Sequence, residues 1–235
     1  MKRAFSIAAV ALVAALAAAA IFLLSATVPP EVVERSVVRE QTLLEKAWRL
    51  PVASAFGHVD FQSNQSLCGP ASIANILRSF GETADTERRV LAHTRKCWSG
   101  ICFLGLSLDE LADVTRTATT RNVTVLRDLT PDAFRDELRH ANDPSRRYVV
   151  NFARVPIFGA GFGHHSPIGG YLEDEDLVLV LDVNETFKPW LIERSRLYNA
   201  MNTADGDRSA GFFALSSPPV PRSLAANTRK CRSDG

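Results

Sequence analysis

The stretch "QSNQSLCG", Gln62 to Gly69, places one cysteine among short polar residues and runs straight into "PASIANILRSFG". Ile73, Ile76, Leu77 and Phe80 recur at helical spacing, which predicts a helix from about Gly69 or Pro70 to Ser79 with one buried face. Pro70 suits the first turn and Gly81 the stop. Cys68 therefore falls at a helix N-terminus, where unsatisfied N–H groups and the positive end of the helix dipole favour thiolate over thiol. A thiolate is a nucleophile. The competing reading is an inert cysteine filling a gap beside the helix.

A nucleophilic cysteine needs a base, and the base needs a group to orient it. "GFGHHSPIGGYLEDEDLVLVLDVNE" offers both, because apolar, β-prone runs flank an acidic cluster and predict a hairpin turning near Glu173 to Glu175. Residues 164 and 182 are equidistant from 173, so His164 and Asp182 fall opposite each other to within a residue or two. His165 rivals His164. Side-chain alternation puts the two on opposite faces, so only one can face Cys68. A structural or surface histidine, and a turn-capping aspartate, are the competing readings. Gln62, upstream of the cysteine, carries an amide that can donate to the oxyanion of a tetrahedral intermediate together with the Cys68 N–H; Gln65 is the alternative donor.

These side chains require a scaffold. "SLDELADVTRTATTR", with a Ser107 and Glu110 capping box, and "TPDAFRDELRHAN", with Pro131 in the first turn, predict two further helices. "YVVNFARV" and "GFFAL" predict strands. A chain of 235 residues, 46% apolar, can bury one core or two small lobes around a cleft. Its formal charge of +1 argues against nucleic acid as a partner. No repeat and no Gly-rich phosphate loop is present, which argues against a nucleotide enzyme.

The ends differ from the body. Lys2 and Arg3 precede the uncharged, apolar stretch 4–26, so residues 1–26 read as a signal peptide or membrane anchor, with the rest of the chain exported to the periplasm or held outside the inner membrane. Residues 27–41 read as a linker, 42–217 as the folded body, and 218–235 as a flexible tail. Export favours a disulfide between Cys97 and Cys102 in "CWSGIC" over a zinc site, leaving Cys68 a free thiol.

Three segments, Gln62 to Cys68 with "CGPAS", then "GHHSPIGGYLEDEDLVLVLDV", then "AMNTADGDRSAGFF", resemble in this order the phytochelatin synthases of the papain-like cysteine peptidase clan. The likeness spans about Gln41 to Leu215. It implies a papain-like α+β fold, with Cys68 at a helix start in a helical lobe and His164 and Asp182 on an antiparallel sheet. It also implies Cys68 as nucleophile, His164 as base, Asp182 as orienting acid and Gln62 as oxyanion donor. Gly163, Asp205 and Arg208 would bind substrate, the last two gripping the γ-glutamyl amino and carboxylate groups.

The implied substrate is glutathione, cleaved with release of glycine and followed by transfer to phytochelatin or hydrolysis to γ-glutamylcysteine. No cofactor is required, and cadmium or zinc thiolates of glutathione are possible substrates or activators. This chain has Glu185 where the family reads an arginine after Asp-Val-x, and Ser209 and Ala210 separate Arg208 from Gly211. A peptidase acting on larger peptides, or an anchored binding protein without turnover, are the alternatives.

Overall fold

Along the strand Arg146–Ala153, Tyr148, Val150 and Phe152 enter one apolar cluster and Val149 another, the period of two expected of a strand buried on both faces. The computed structural model describes residues 27–97, 100–102 and 105–217. In chain order the helices are α1 (Pro30–Ser36), α2 (Gln41–Trp48), α3 (Pro51–Phe56), α4 (Cys68–Ser79), α5 (Glu87–Val90), α6 (Leu108–Ala118), α7 (Pro131–His140), α8 (Val155–Phe158) and α9 (Arg194–Met201). The strands are β1 (Asn122–Leu126), β2 (Arg146–Ala153), β3 (Gly163–Leu172), β4 (Leu177–Val180), β5 (Trp190–Glu193), β6 (Ala204–Asp205), β7 (Arg208–Ser209) and β8 (Phe212–Ser216).

Six strands form one antiparallel sheet in the order β1-β8-β2-β3-β4-β5, and β6 and β7 make a separate two-stranded ribbon. One face is covered by α2, α3, α4 and α6 through Ala47, Phe56, Ile73, Ile76, Leu77 and Leu111. The other is covered by α1, α7, α8 and α9 through Val33, Phe134, Phe158 and Leu197. Leu177 and Leu179 of β4 face the first layer, Val178 and Val180 the second. The strands β2, β3 and β4 are therefore buried on both sides, which fixes their register.

The helix predicted from about Gly69 begins at Cys68 and ends at Ser79, with Gly81 at φ 76 just beyond it. At α6 the Ser107 and Glu110 side chains form the reciprocal capping box, and Pro131 opens α7 behind the Thr130 cap.

The stretch 27–41, expected as a linker, belongs to the folded body. Val28, Val33 and Val37 are buried in the cluster that also holds Ile157 and Phe158 of α8, the helix that α1 packs against, and Val38 bridges to Leu191 of β5. Their apolar surface outweighs the charge of the residues between them. The expected signal or anchor at 1–26 and the expected tail at 218–235 lie outside the described residues. Cys97 and Cys102 form a disulfide, which takes both sulfurs that a zinc site would have needed.

Candidate active site

Residues of α4 from Cys68 to Leu77 are all buried, so the helix is held in place along its length. Ser72 Oγ lies 2.7 Å from Cys68 O and 3.0 Å from His165 O, tying the first turn to β3. The loop before the helix is tied down as well: Gln62 N donates to Val183 O at 2.8 Å, and Asp60 N donates to Asn75 Oδ1 at 2.9 Å. Three separate pieces of chain thus meet around one sulfur.

His164 is the second residue of β3 and is buried beside the edge of the Phe152 ring. Its Nε2 is 2.8 Å from Asp182 Oδ1, which leaves Nδ1 for the Cys68 thiol, whose pKa the imidazole lowers. Asp182 is fully buried; its Oδ1 also accepts from Asn184 N at 2.9 Å, and its Oδ2 accepts from Trp190 Nε1 at 3.1 Å.

The hairpin register explains this contact. Leu172 pairs with Leu177, but a bulge between Ile168 and Gly170 shifts the ladder so that Ile168 faces Val180. Continued, that ladder sets Asp182 level with Ser166, and the carboxylate reaches His164 along the diagonal.

Burial would raise the Cys68 thiol, yet the charge and hydrogen bond of His164, the backbone N–H of His165 and the Arg154 guanidinium together hold it below its ordinary value of 9.0. Burial and Arg154 push His164 down, but the charges of Asp182 and Cys68 prevail and raise it above 6.5. Burial would raise Asp182 too; His164, Arg154 and the Asn184 N–H keep it ionised, below 3.8. The three groups favour a thiolate–imidazolium pair backed by a carboxylate, the arrangement for covalent acyl transfer.

His165 turns the other way. Its Nε2 is 2.8 Å from Leu106 O, and burial pushes its pKa down to about 4, so it is a neutral structural residue. Gln62 is half-buried, with Nε2 donating to Asn64 O at 3.0 Å, whereas Gln65 is exposed. Gly163 opens β3 in a position where an added Cβ would meet nothing within 4 Å.

Asp205 and Arg208 are register partners in the β6–β7 ribbon, but their side chains are not joined as a gripping pair. Asp205 accepts from Leu108 N at 2.8 Å, at the start of α6, and lies 3.4 Å from Arg127 Nη2. Arg208 is 68% exposed and 3.6 Å from Asp109. Its guanidinium lies out in solvent, and Arg127 is the cation at Asp205.

Sequence reasoning missed Arg154. Its guanidinium lies 3.7 Å from Asp182 and 4.1 Å above the Phe187 ring, with only 13% of the side chain exposed. A single arginine closing the apolar run "YVVNFARV" was the available signal. Among the described residues no group of three His, Cys, Asp or Glu could hold a metal ion.

The sequence matches the phytochelatin synthase family over residues 23–212. The chain is 25% identical over 218 residues to glutathione gamma-glutamylcysteinyltransferase 2 of Arabidopsis thaliana, covering 81% of this chain and 46% of that one. It is 38% identical over 74 residues to glutathione gamma-glutamylcysteinyltransferase 3 of Lotus japonicus, covering 31% and 15% respectively. The chain spans less than half the length of these relatives. A crystal structure described as a C39-like peptidase from Bacillus anthracis superposes with a TM-score of 0.50 at 11% identity, covering 68% of this chain and 94% of that one, which shows the papain-like fold. With Cys68, His164 and Asp182 lying inside the matched region, the chain belongs to the phytochelatin synthase family.

Proposed function

We propose that this chain is a glutathione-processing acyl transferase. The observation that carries the reading is the Cys68–His164–Asp182 array at the N-terminus of α4, in a chain of this family. The Cys68 thiolate attacks the Cys–Gly carbonyl carbon of glutathione, and the resulting oxyanion takes hydrogen bonds from the Cys68 N–H and the Gln62 amide. His164 gives its proton to the glycine nitrogen as the C–N bond breaks. A γ-glutamylcysteinyl thioester remains on Cys68. The amine of a second glutathione then attacks it to give phytochelatin, or water attacks it to give γ-glutamylcysteine, with His164 taking the proton back.

Glu185 favours hydrolysis. It is exposed in the turn that follows Asp182, an anion where an acceptor rich in carboxylates would have to dock. Glutathione carrying cadmium or zinc on its thiolate serves as substrate or activator, with no resident metal. Residues 1–26 export or anchor the catalytic body, and the Cys97–Cys102 disulfide supports an oxidising compartment.

Mass spectrometry of glutathione incubated with the chain tests the reading. Released glycine is the expected result. Cleavage confined to longer peptides would replace it with a peptidase, and absence of any product with a binding protein.

A further inference from the structure

Asn64 is the hub of the loop that carries Gln62. Its carbonyl accepts from Gln62 Nε2 at 3.0 Å, and its Oδ1 accepts from Ser66 N at 3.0 Å and from Ser66 Oγ at 2.7 Å. Its Nδ2 donates to Gly100 O at 3.1 Å, and Cys102 N donates to Ser66 Oγ at 3.1 Å. Gly100 and Cys102 both belong to the small ring closed by the Cys97–Cys102 disulfide. Gln62 Oε1 is buried with no partner among the described residues, so the Nε2 bond to Asn64 is what anchors that amide.

The same segment is also tied to β3, on the face turned away from Cys68. Cys102 O accepts from Gly105 N at 2.9 Å, and the next residue, Leu106, takes the His165 imidazole.

We propose that Asn64 is a positioning residue that sets the Gln62 amide toward the oxyanion, and that the Cys97–Cys102 disulfide holds Asn64 in place. Reduction of that disulfide then slows acyl-enzyme formation while leaving the Cys68–His164 pair as it is. The inference rests on the acyl-transfer reading of this site.

The disulfide is open to thiols on one side. Cys97, half-buried, lines with Ser63, Asn64, Leu67 and Gly100 a cleft of about 600 Å³, whereas Cys102 is fully buried. A small thiolate attacks Cys97 Sγ, the S–S bond breaks, and Cys102 leaves as a thiolate and takes a proton. A second thiol attacks the mixed disulfide. Two free cysteines and one external disulfide result, so two thiols are oxidised for one disulfide reduced. Glutathione, the proposed substrate, is itself such a thiol.

The test uses the full chain, the Cys97→Ser/Cys102→Ser double variant and Asn64→Ala. Each is read by the burst of p-nitrophenyl acetate cleavage after subtraction of the Cys68→Ala background, by kcat and KM for glycine release, and by iodoacetamide alkylation of Cys68 across pH. Alkylation needs the thiolate but no oxyanion donor. A burst about tenfold slower in both variants is expected, since losing one oxyanion donor outright costs roughly 100-fold or more. KM should stay within about twofold and the alkylation profile should not move.

Dithiothreitol treatment followed by desalting under argon should slow the wild-type burst equally and leave the double variant unchanged. Circular dichroism verifies folding; if the double variant is unfolded, reduced wild type supplies the comparison. An unchanged burst in reduced protein and in Asn64→Ala overturns the inference, even if glycine is released. A burst that responds in a chain that releases no glycine supports the inference and sinks the glutathione reading instead.

Discussion

His164 and His165 are adjacent, both buried, and electrostatically opposite. His164 is raised above 6.5 because Asp182 and Cys68 flank it, while burial lowers His165 to about 4, against the smaller upward pull of the Leu106 carbonyl and the Asp205 charge. The thiolate–imidazolium pair forms as pH rises through the depressed Cys68 value and is lost above the raised His164 value. Activity should follow a bell, and alkylation of Cys68 should persist well below pH 9.0, the ordinary thiol value.

His165 has its own signature. Below 6.5 an unfolded chain protonates it, whereas the folded protein refuses the proton until about 4, so stability falls with each step down in that window. The gap between 6.5 and about 4 corresponds to about 3 kcal/mol. Urea titrations of wild type and His165→Gln, whose amide can still donate to Leu106 O, should show a flatter pH dependence for the variant. At this scale the sequence disclosed Cys68, His164 and Asp182 because each sits in a short motif with local consequences. Arg127 beside Asp205 stayed hidden, since a strand end and a distant ribbon meet only in three dimensions.

The element that sets the site is the β3–β4 hairpin, and its bulge depends on Gly169 and Gly170. A Cβ on Gly170 would lie 2.5 Å from Leu50 Cδ1 and 2.9 Å from Asn142 Oδ1, at φ 150, where side chains are strained. Asn142 in turn brackets Tyr171, donating to its carbonyl at 2.8 Å and accepting from its N–H at 2.9 Å. Gly170→Ala should therefore cost about 1–3 kcal/mol in urea denaturation, and also lower glycine release by shifting Asp182 against His164. Retained stability would mean that Leu50 moves aside freely.

The capping box and the helix periodicities were legible because they are local patterns. β5 and α1 were not: "WLIE" is too short to show alternation, and the acidic and basic residues of "PEVVERS" disguise a helix whose Val33 is fully buried.

At the scale of the molecule, a two-sided sheet presents His164 and Asp182 to the N-terminus of α4, and under the proposed function the acyl-enzyme formed there partitions between an amine and water. Under that proposal the exposed carboxylate of Glu185 biases the partition toward water. Phytochelatin should appear slowly or only when glutathione is plentiful, and Glu185→Arg should raise the fraction transferred across a glutathione titration. Predominant phytochelatin at low glutathione in the wild type would place Glu185 away from the acceptor. The papain-like architecture could be anticipated from motif order. The seating of residues 27–41 could not, because it depends on contacts with α8 and β5, which lie far away in the sequence.

The central claim is that Cys68 carries a γ-glutamylcysteinyl thioester. Rapid acid quenching of the chain with glutathione, followed by peptide mass spectrometry, tests it most directly. The expected result is that adduct on the Cys68 peptide, with both adduct and glycine release abolished in Cys68→Ser. Glycine released at an undiminished rate by Cys68→Ser, with no adduct in the wild type, would contradict the account.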